Sequence, residues 1–253
     1  MKIEFIWVGN ATFVINIDNK LKFACDPCLV PKDEIVKFSF FDSKRLRSPK
    51  YDENTFKNID FWLLTHNHLD HLDDYGKKVI EEKSKIICCE NVLKELNHKD
   101  INVLKWKEEI TIEKDKYKIK ITAVPAYHAS NIIIRKIVGK VNGYFLCIND
   151  SSEEKTIYIT SDTVYHKSIT KIFKEKNVDV LIANVGEALR DMFGGPITMS
   201  PSMLDKVKGD ISPKKIIPIH YDDFSHFVNN EDALKLSGYT MYKRGEVYTL
   251  SES

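Results

Sequence analysis

An excess of charge of either sign is the first thing this chain lacks: 38 Lys and Arg stand against 37 Asp and Glu in 253 residues, a formal net charge of +1. A protein that coats a polyanion needs surplus cation gathered on one face, so nucleic acid is not an expected partner. Glycine and proline are sparse, at 10 and 8, beside a hydrophobic fraction of 43%. That composition excludes fibrous and disordered chains and leaves a globular one. Long apolar runs are also missing. The longest stretch without a charged side chain, Ile121 to Ile134, covers 14 residues, short of the 18 or more that a membrane span requires. The opening Met-Lys-Ile-Glu and polar Asn10 fall where a signal peptide carries its apolar region, so a cytoplasmic location is expected. Cysteines number five, an odd count that suits a reducing compartment better than a disulfide framework. Cys25-Asp-Pro-Cys28 has no second pair at zinc-knuckle distance, and these thiols are expected to be buried and inert.

What the chain does have is many short runs rich in β-branched and aromatic residues. Strands are expected at Ile3–Val8, Thr12–Ile17, Leu21–Cys25, Phe61–Thr65, Ile86–Cys89, Tyr117–Val124, Tyr144–Ile148, Thr156–Thr160, Val180–Val185, Ile216–Ile219 and Val247–Leu250. Helical spacing marks Leu72–Glu82, Val92–Leu96, Ile169–Glu175, Pro201–Val207 and Ala233–Leu236. Short turns at Gly9-Asn10 and Asp18-Asn19-Lys20 predict antiparallel meanders at the start. The pattern fits an α+β protein of two packed sheets with helices outside. No linker or repeat divides it, so residues 1–253 are read as a single domain. Pro31 to Asn58 is the least regular stretch, and it carries the cations Lys44, Arg45 and Arg47.

The chemistry concentrates in Phe61-Trp-Leu-Leu-Thr-His66-Asn-His68-Leu-Asp70-His71, an apolar strand running into three histidines and an aspartate. A tight loop between strand end and helix start can turn all four toward one point, with Asp70 and His71 opening the helix that continues Leu72-Asp73-Asp74-Tyr75. Imidazole and carboxylate together suit zinc, and also manganese or iron. Three further donors each follow an apolar run: His128, Asp162 and His220. Ligands at strand ends along one sheet edge are where a rigid scaffold assembles a site.

With these residues in view, the sequence resembles the metallo-β-lactamase superfamily. Thr65-His66-x-His68-x-Asp70-His71, then His128, Asp162 and His220, look like its signature in order. Trp7-Val-Gly-Asn-Ala-Thr-Phe-Val, Cys25-Asp-Pro-Cys28, His71-Leu-Asp73, Gly194-Gly-Pro-Ile-Thr-Met-Ser-Pro201 and Ile217-Pro-Ile-His-Tyr221 are similar to the branch of ascorbate-6-phosphate lactonase-like and N-acyl-phosphatidylethanolamine phospholipase D-like proteins. The resemblance implies a four-layer αβ/βα sandwich of two mixed sheets. It also implies His66, His68 and His128 on one metal and Asp70, His71 and His220 on a second, with Asp162 bridging. The carboxylates make a second site without thiolate, unlike the secreted antibiotic-hydrolysing members.

Two divalent ions, zinc ahead of manganese or iron, can share a water and lower its pKa from 15.7 toward about 7. The expected enzyme is therefore a dinuclear metal-dependent hydrolase, with Asp70 and Asp162 in the catalytic centre and a bridging hydroxide cleaving a phosphoester or a lactone or amide, which can be phosphorylated. Asp26 is a candidate to orient a ligand histidine. Arg190, Arg47 and His226 are candidates for the small-molecule substrate; oligomer formation stays open. The alternatives are an iron-dependent oxidoreductase and a metal-binding regulatory module without turnover.

Overall fold

The computed structural model describes residues 1–190, 194–228 and 231–250, with the backbone alone at 189 and 190. In chain order the strands are β1 (Ile3–Gly9), β2 (Thr12–Ile17), β3 (Leu21–Cys25), β4 (Ile35–Lys37), β5 (Asp42–Lys44), β6 (Phe61–Leu64), β7 (Lys85–Cys88), β8 (Ile101–Val103), β9 (Glu109–Lys114), β10 (Tyr117–Ala126), β11 (Val141–Asn149), β12 (Glu154–Ile159), β13 (Val180–Asn184), β14 (Leu189–Arg190), β15 (Gly195–Pro196), β16 (Lys215–Ile219) and β17 (Val247–Thr249). The helices are α1 (Asp74–Lys77), α2 (Ile132–Val138), α3 (Lys167–Thr170), α4 (Pro201–Ile211) and α5 (Glu231–Leu236), with short 3₁₀ turns at Glu90–Lys94 and Lys171–Phe173. The backbone gathers into two compact units: Met1–Leu104 with Asp223–Ser225 and the stretch from Tyr242 onward, and Lys105–Asp222 with His226–Met241. No described helix is long and apolar enough to cross a membrane.

The first unit holds a seven-stranded mixed sheet, β17-β1-β2-β3-β6-β7-β8. Its first half is the expected meander, and β3, β6, β7 and β8 run parallel. Both faces are buried, which is why Phe61-Trp-Leu-Leu reads as an unbroken apolar run instead of an alternation. One face carries Val14, Ala24, Trp62 and Ile86 in register, packed with Phe56, Ile59, Leu72 and Val92. The other carries Ile15, Phe23 and Phe61, the two phenyl rings stacked at 4.8 Å.

The second unit holds a six-stranded mixed sheet, β16-β13-β12-β11-β10-β9. Strands β9 to β12 are antiparallel neighbours, and β12, β13 and β16 are parallel. Two antiparallel steps make β10 run the same way as β12, so β10, β12, β13 and β16 all end at one edge. α4 begins at Ser200, whose side chain accepts the Met203 N–H, with Pro201 in the first turn.

Several expected elements differ. The helix expected at Leu72–Glu82 contracts to α1, four residues long, and the β-branched Val79 and Ile80 beyond it, poor helix formers, pack partly buried against the core. Asp70 and His71 do not open it. They lie in a turn in which His71 N and Leu72 N both donate to His68 O at 2.9 Å, and Asp73 caps α1 by accepting the Gly76 N–H. A side chain at Gly76 would strike Pro27 O at 1.7 Å, so α1 can lie against the Cys25–Cys28 turn only with glycine there. Val92–Leu96 is a 3₁₀ turn shifted to Glu90–Lys94, and the irregular Pro31–Asn58 stretch contains the hairpin β4–β5.

Candidate metal centre

In the first unit, β1, β3 and β6 all point the same way, and their ends supply Asn10, Asp26 and Thr65-His66. Asn10 (φ 52) and Asp26 (φ 40) are left-handed, a conformation that Asn and Asp adopt most readily after Gly. Asp26 is 1% exposed. Its carboxylate accepts from Thr65 N at 2.7 Å, Thr65 Oγ1 at 2.6 Å and His71 Nδ1 at 2.7 Å. Thr65 Oγ1, having donated its proton to Asp26, accepts from His66 Nδ1 at 2.9 Å. Both imidazoles therefore carry their proton on Nδ1 and present the Nε2 lone pair. His66 Nε2 and His68 Nδ1 converge at 3.1 Å. Two imidazole nitrogens on one tetrahedral zinc, at Zn–N of about 2.0–2.1 Å, lie about 3.3 Å apart. Asp70 is 4% exposed, and its backbone carbonyl accepts from Asn10 Nδ2.

In the second unit the donors sit just beyond β10, β12 and β16. His128 Nδ1 donates to Ile197 O at 2.7 Å, which leaves Nε2 as its donor atom, 3.6 Å from Asp162 Oδ2. The other carboxylate oxygen of Asp162 lies 3.5 Å from His220 Nδ1 and accepts from Asn184 Nδ2 at 2.8 Å. Asp162 thus turns one oxygen to each histidine. Ser161 (φ 56), next to Asp162, and His220 (φ 62) are left-handed without being Asn, Asp or Gly, a backbone strain of about 1–3 kcal/mol each. Gly186 lets the end of β13 pass: a Cβ there would meet His220 O at 2.5 Å.

The donor chemistry suits divalent transition metals. Six of the seven predicted ligands are buried and His68 is half-buried, and three imidazoles have Nδ1 fixed on oxygen, the usual outer arrangement of metal-ligating histidine.

The remaining predicted residues fare differently. Arg47 is exposed and its carbonyl accepts Arg45 Nε at 2.8 Å. Arg45, grouped from the sequence with Lys44 and Arg47 among the cations of the irregular stretch, is wholly buried, 3.1 Å from Asp223 and over the Phe224 ring. Arg190 belongs to β14, but its side chain lies outside the described residues. His226 is buried and packs against the Phe227 ring at 4.4 Å. Burial pushes the Cys25 and Cys28 thiols well above their ordinary value, and neither is bonded to another cysteine. Asn10 and Asn184 were not singled out as site residues from the sequence; a lone Asn has no motif, and Asn10 entered only through the Gly9-Asn10 turn and the Trp7-Val-Gly-Asn-Ala-Thr-Phe-Val stretch.

Residues 25–221 match the family model described as a beta-lactamase superfamily domain. The chain belongs to the metallo-β-lactamase superfamily. UPF0173 protein YddR of Bacillus subtilis is 25% identical over 236 residues, covering 90% of this chain and 89% of that one. A UPF0173 metal-dependent hydrolase of Pyrococcus horikoshii is 27% identical over 224 residues, covering 88% and 85%. The crystal structure of an isothiocyanate hydrolase from Delia radicum gut bacteria superposes with a TM-score of 0.81 at 22% identity over 97% of this chain and 98% of that one. The α+β metallo-β-lactamase fold expected from the sequence is the fold observed.

Proposed function

We propose that this chain is a metal-dependent hydrolase with a dinuclear centre. His66, His68 and His128 would hold one ion, and Asp70, His71 and His220 the other, with Asp162 reaching both. One observation supports the reading: His66, His71 and His128 each bind an oxygen through Nδ1, at 2.9, 2.7 and 2.7 Å, which makes Nε2 the atom that would ligate an ion. When bound, two divalent ions, zinc ahead of manganese or iron, polarise the scissile oxygen and acidify a water.

The chain's own part is orientation. Asp26 holds the His71 proton on Nδ1 and, through Thr65, holds that of His66 as well. Asn184 fixes the rotamer of Asp162, so that its two oxygens face His128 and His220. No side chain has to become a covalent nucleophile, because the ions these donors would hold would supply an activated water. We take the substrate to be a phosphoester or a lactone or amide, in keeping with the lactonase-like and phospholipase D-like branch that the sequence resembles. Arg47 is exposed on a segment whose backbone the buried Arg45 holds, and guanidinium grips phosphate in two-pronged fashion.

Elemental analysis before and after reconstitution, combined with hydrolysis of paired phosphorylated and unphosphorylated esters and lactones, tests the reading. Two ions per chain and turnover of the phosphorylated member are expected, with Arg47→Ala raising KM more than it lowers kcat. Stoichiometric metal with no hydrolysis across the panel would point to a regulatory metal-binding module instead.

A further inference from the structure

We propose that Asn10 is a positioning residue for Asp70, and that the cluster of buried Arg45 and Asp223 with partly buried Arg244 exists to hold Asn10. This rests on the dinuclear reading above. Asn10 is fully buried and bonded on three sides: its Nδ2 donates to the Asp70 carbonyl, its N donates to Asp223 Oδ2 at 2.8 Å, and its own carbonyl accepts Trp7 Nε1 at 2.9 Å. Asp223, also fully buried, stands between Arg45 NH2 at 3.1 Å on Oδ1 and Arg244 NH2 at 2.9 Å on Oδ2. The Arg244 guanidinium lies over the Trp7 ring at 4.2 Å. Gly9 is needed where these side chains crowd the strand end: with φ 141, a Cβ there would sit 3.1 Å from Arg45 NH2 and 3.3 Å from Asp223 Oδ1.

A buried carboxylate flanked by two guanidiniums is costly to desolvate, and apolar residues of similar volume commonly serve a fold as well or better. What this cluster adds is directional. Asp223 fixes the Asn10 backbone, and the Asn10 amide then fixes the peptide of a donor that sits in a turn with no β-ladder of its own.

The test uses the metal-free full chain titrated with zinc against a chromophoric chelator, alongside its thermal unfolding. Asn10→Asp keeps the left-handed backbone and turns the donating amide into an acceptor. Asn10→Gly keeps the backbone and removes the side chain, which covers the case in which the aspartate variant fails to fold. The expected result is a 10–100-fold weaker affinity at one of two sites, with the other unchanged, and a metal-free unfolding temperature close to wild type. A cobalt-loaded sample should show an altered ligand-field spectrum in the variants. Both affinities within two-fold of wild type would overturn the positioning role while leaving the dinuclear reading intact. Fewer than two ions on the wild-type chain would overturn that reading, and this proposal with it.

Discussion

Donors in the seven-stranded sheet come from one loop, His66 to His71, whereas those of the six-stranded sheet come from the separate ends of β10, β12 and β16. The difference shows in how each set is held. A loop has no ladder to fix it, so its donors are tied outward to Asp26, Thr65 and Asn10, each buried and each making more than one hydrogen bond. Strand-end donors inherit their spacing from sheet register, and bonds from His128 Nδ1 to Ile197 O and from Asn184 to Asp162 finish the orientation of two of them. Loss of an outer partner should therefore hurt the loop set more.

The largest effect should come from the carboxylate that faces two histidines. Asp162→Ala is expected to remove nearly all turnover, more than the roughly 10–100-fold typical of an outer partner, while circular dichroism and unfolding stay near wild type. Activity within a few-fold of wild type would take Asp162 out of the site. Next, Asp26→Asn should weaken metal binding about 10–100-fold and cost about 1–3 kcal/mol of stability, because a buried Nδ1–H then faces an amide that can present an N–H. Asn184→Ala, the matching change in the other sheet, should cost less on both counts; equal losses in calorimetry and chelator competition would break the contrast between loop and ladder.

A smaller contrast concerns thiols. Cys25, Cys28, Cys88 and Cys89 of the first unit are buried, burial pushing Cys88 up to about 12 and Cys89 up to about 11, while Cys147 of the second unit is partly exposed. Alkylation of the native protein at pH 8 should label Cys147 first, and peptide mapping that finds Cys88 labelled as fast would contradict the packing. The smallest effect is electrostatic. Ser152 and Lys116 hold the Asp150 carboxyl far below its ordinary value. A lowered carboxylate stabilises the fold at pH above the unfolded value of about 3.9 and loses that contribution as pH falls toward the folded one. Asp150→Asn should thus lower the melting temperature at pH 7, and the gap from wild type should close on acidification below about pH 4.

The candidate donors of the loop stood out in the sequence because four residues of metal-ligating type in six follow an apolar strand, a pattern with no cheap alternative. The strand-end donors were legible only as a set, since His128, Asp162 and His220 each sit beyond an apolar run that has reasons of its own to exist. Strand β9, Glu-Ile-Thr-Ile-Glu-Lys, escaped because an edge strand exposed on alternate residues carries too many charges to stand out. Helix α2 escaped for the opposite reason. Ile132-Ile133-Ile134 favours a strand by propensity, and it is Asn131, accepting the N–H groups of Ile133 and Ile134, that turns it into a helix. Tertiary partners such as Asn10, Thr65 and Asn184 are single polar residues whose meaning comes from what folding places opposite them.

The pairing of β17 with β1, Glu4 opposite Thr249 and Ile6 opposite Val247, bears on the order of events as the chain leaves the ribosome. The strand made early waits, one edge open, for a partner made late, and Arg45 waits for Asp223 before its charge has a buried counterpart. During synthesis the first sheet is thus a template whose outer N–H and C=O groups have nothing to bond, the kind of surface on which nascent chains stick to one another. A message cut short before the codon for Val247 would leave that template open for good, and its product would be sorted by chaperones and proteases instead of settling into the native sheet.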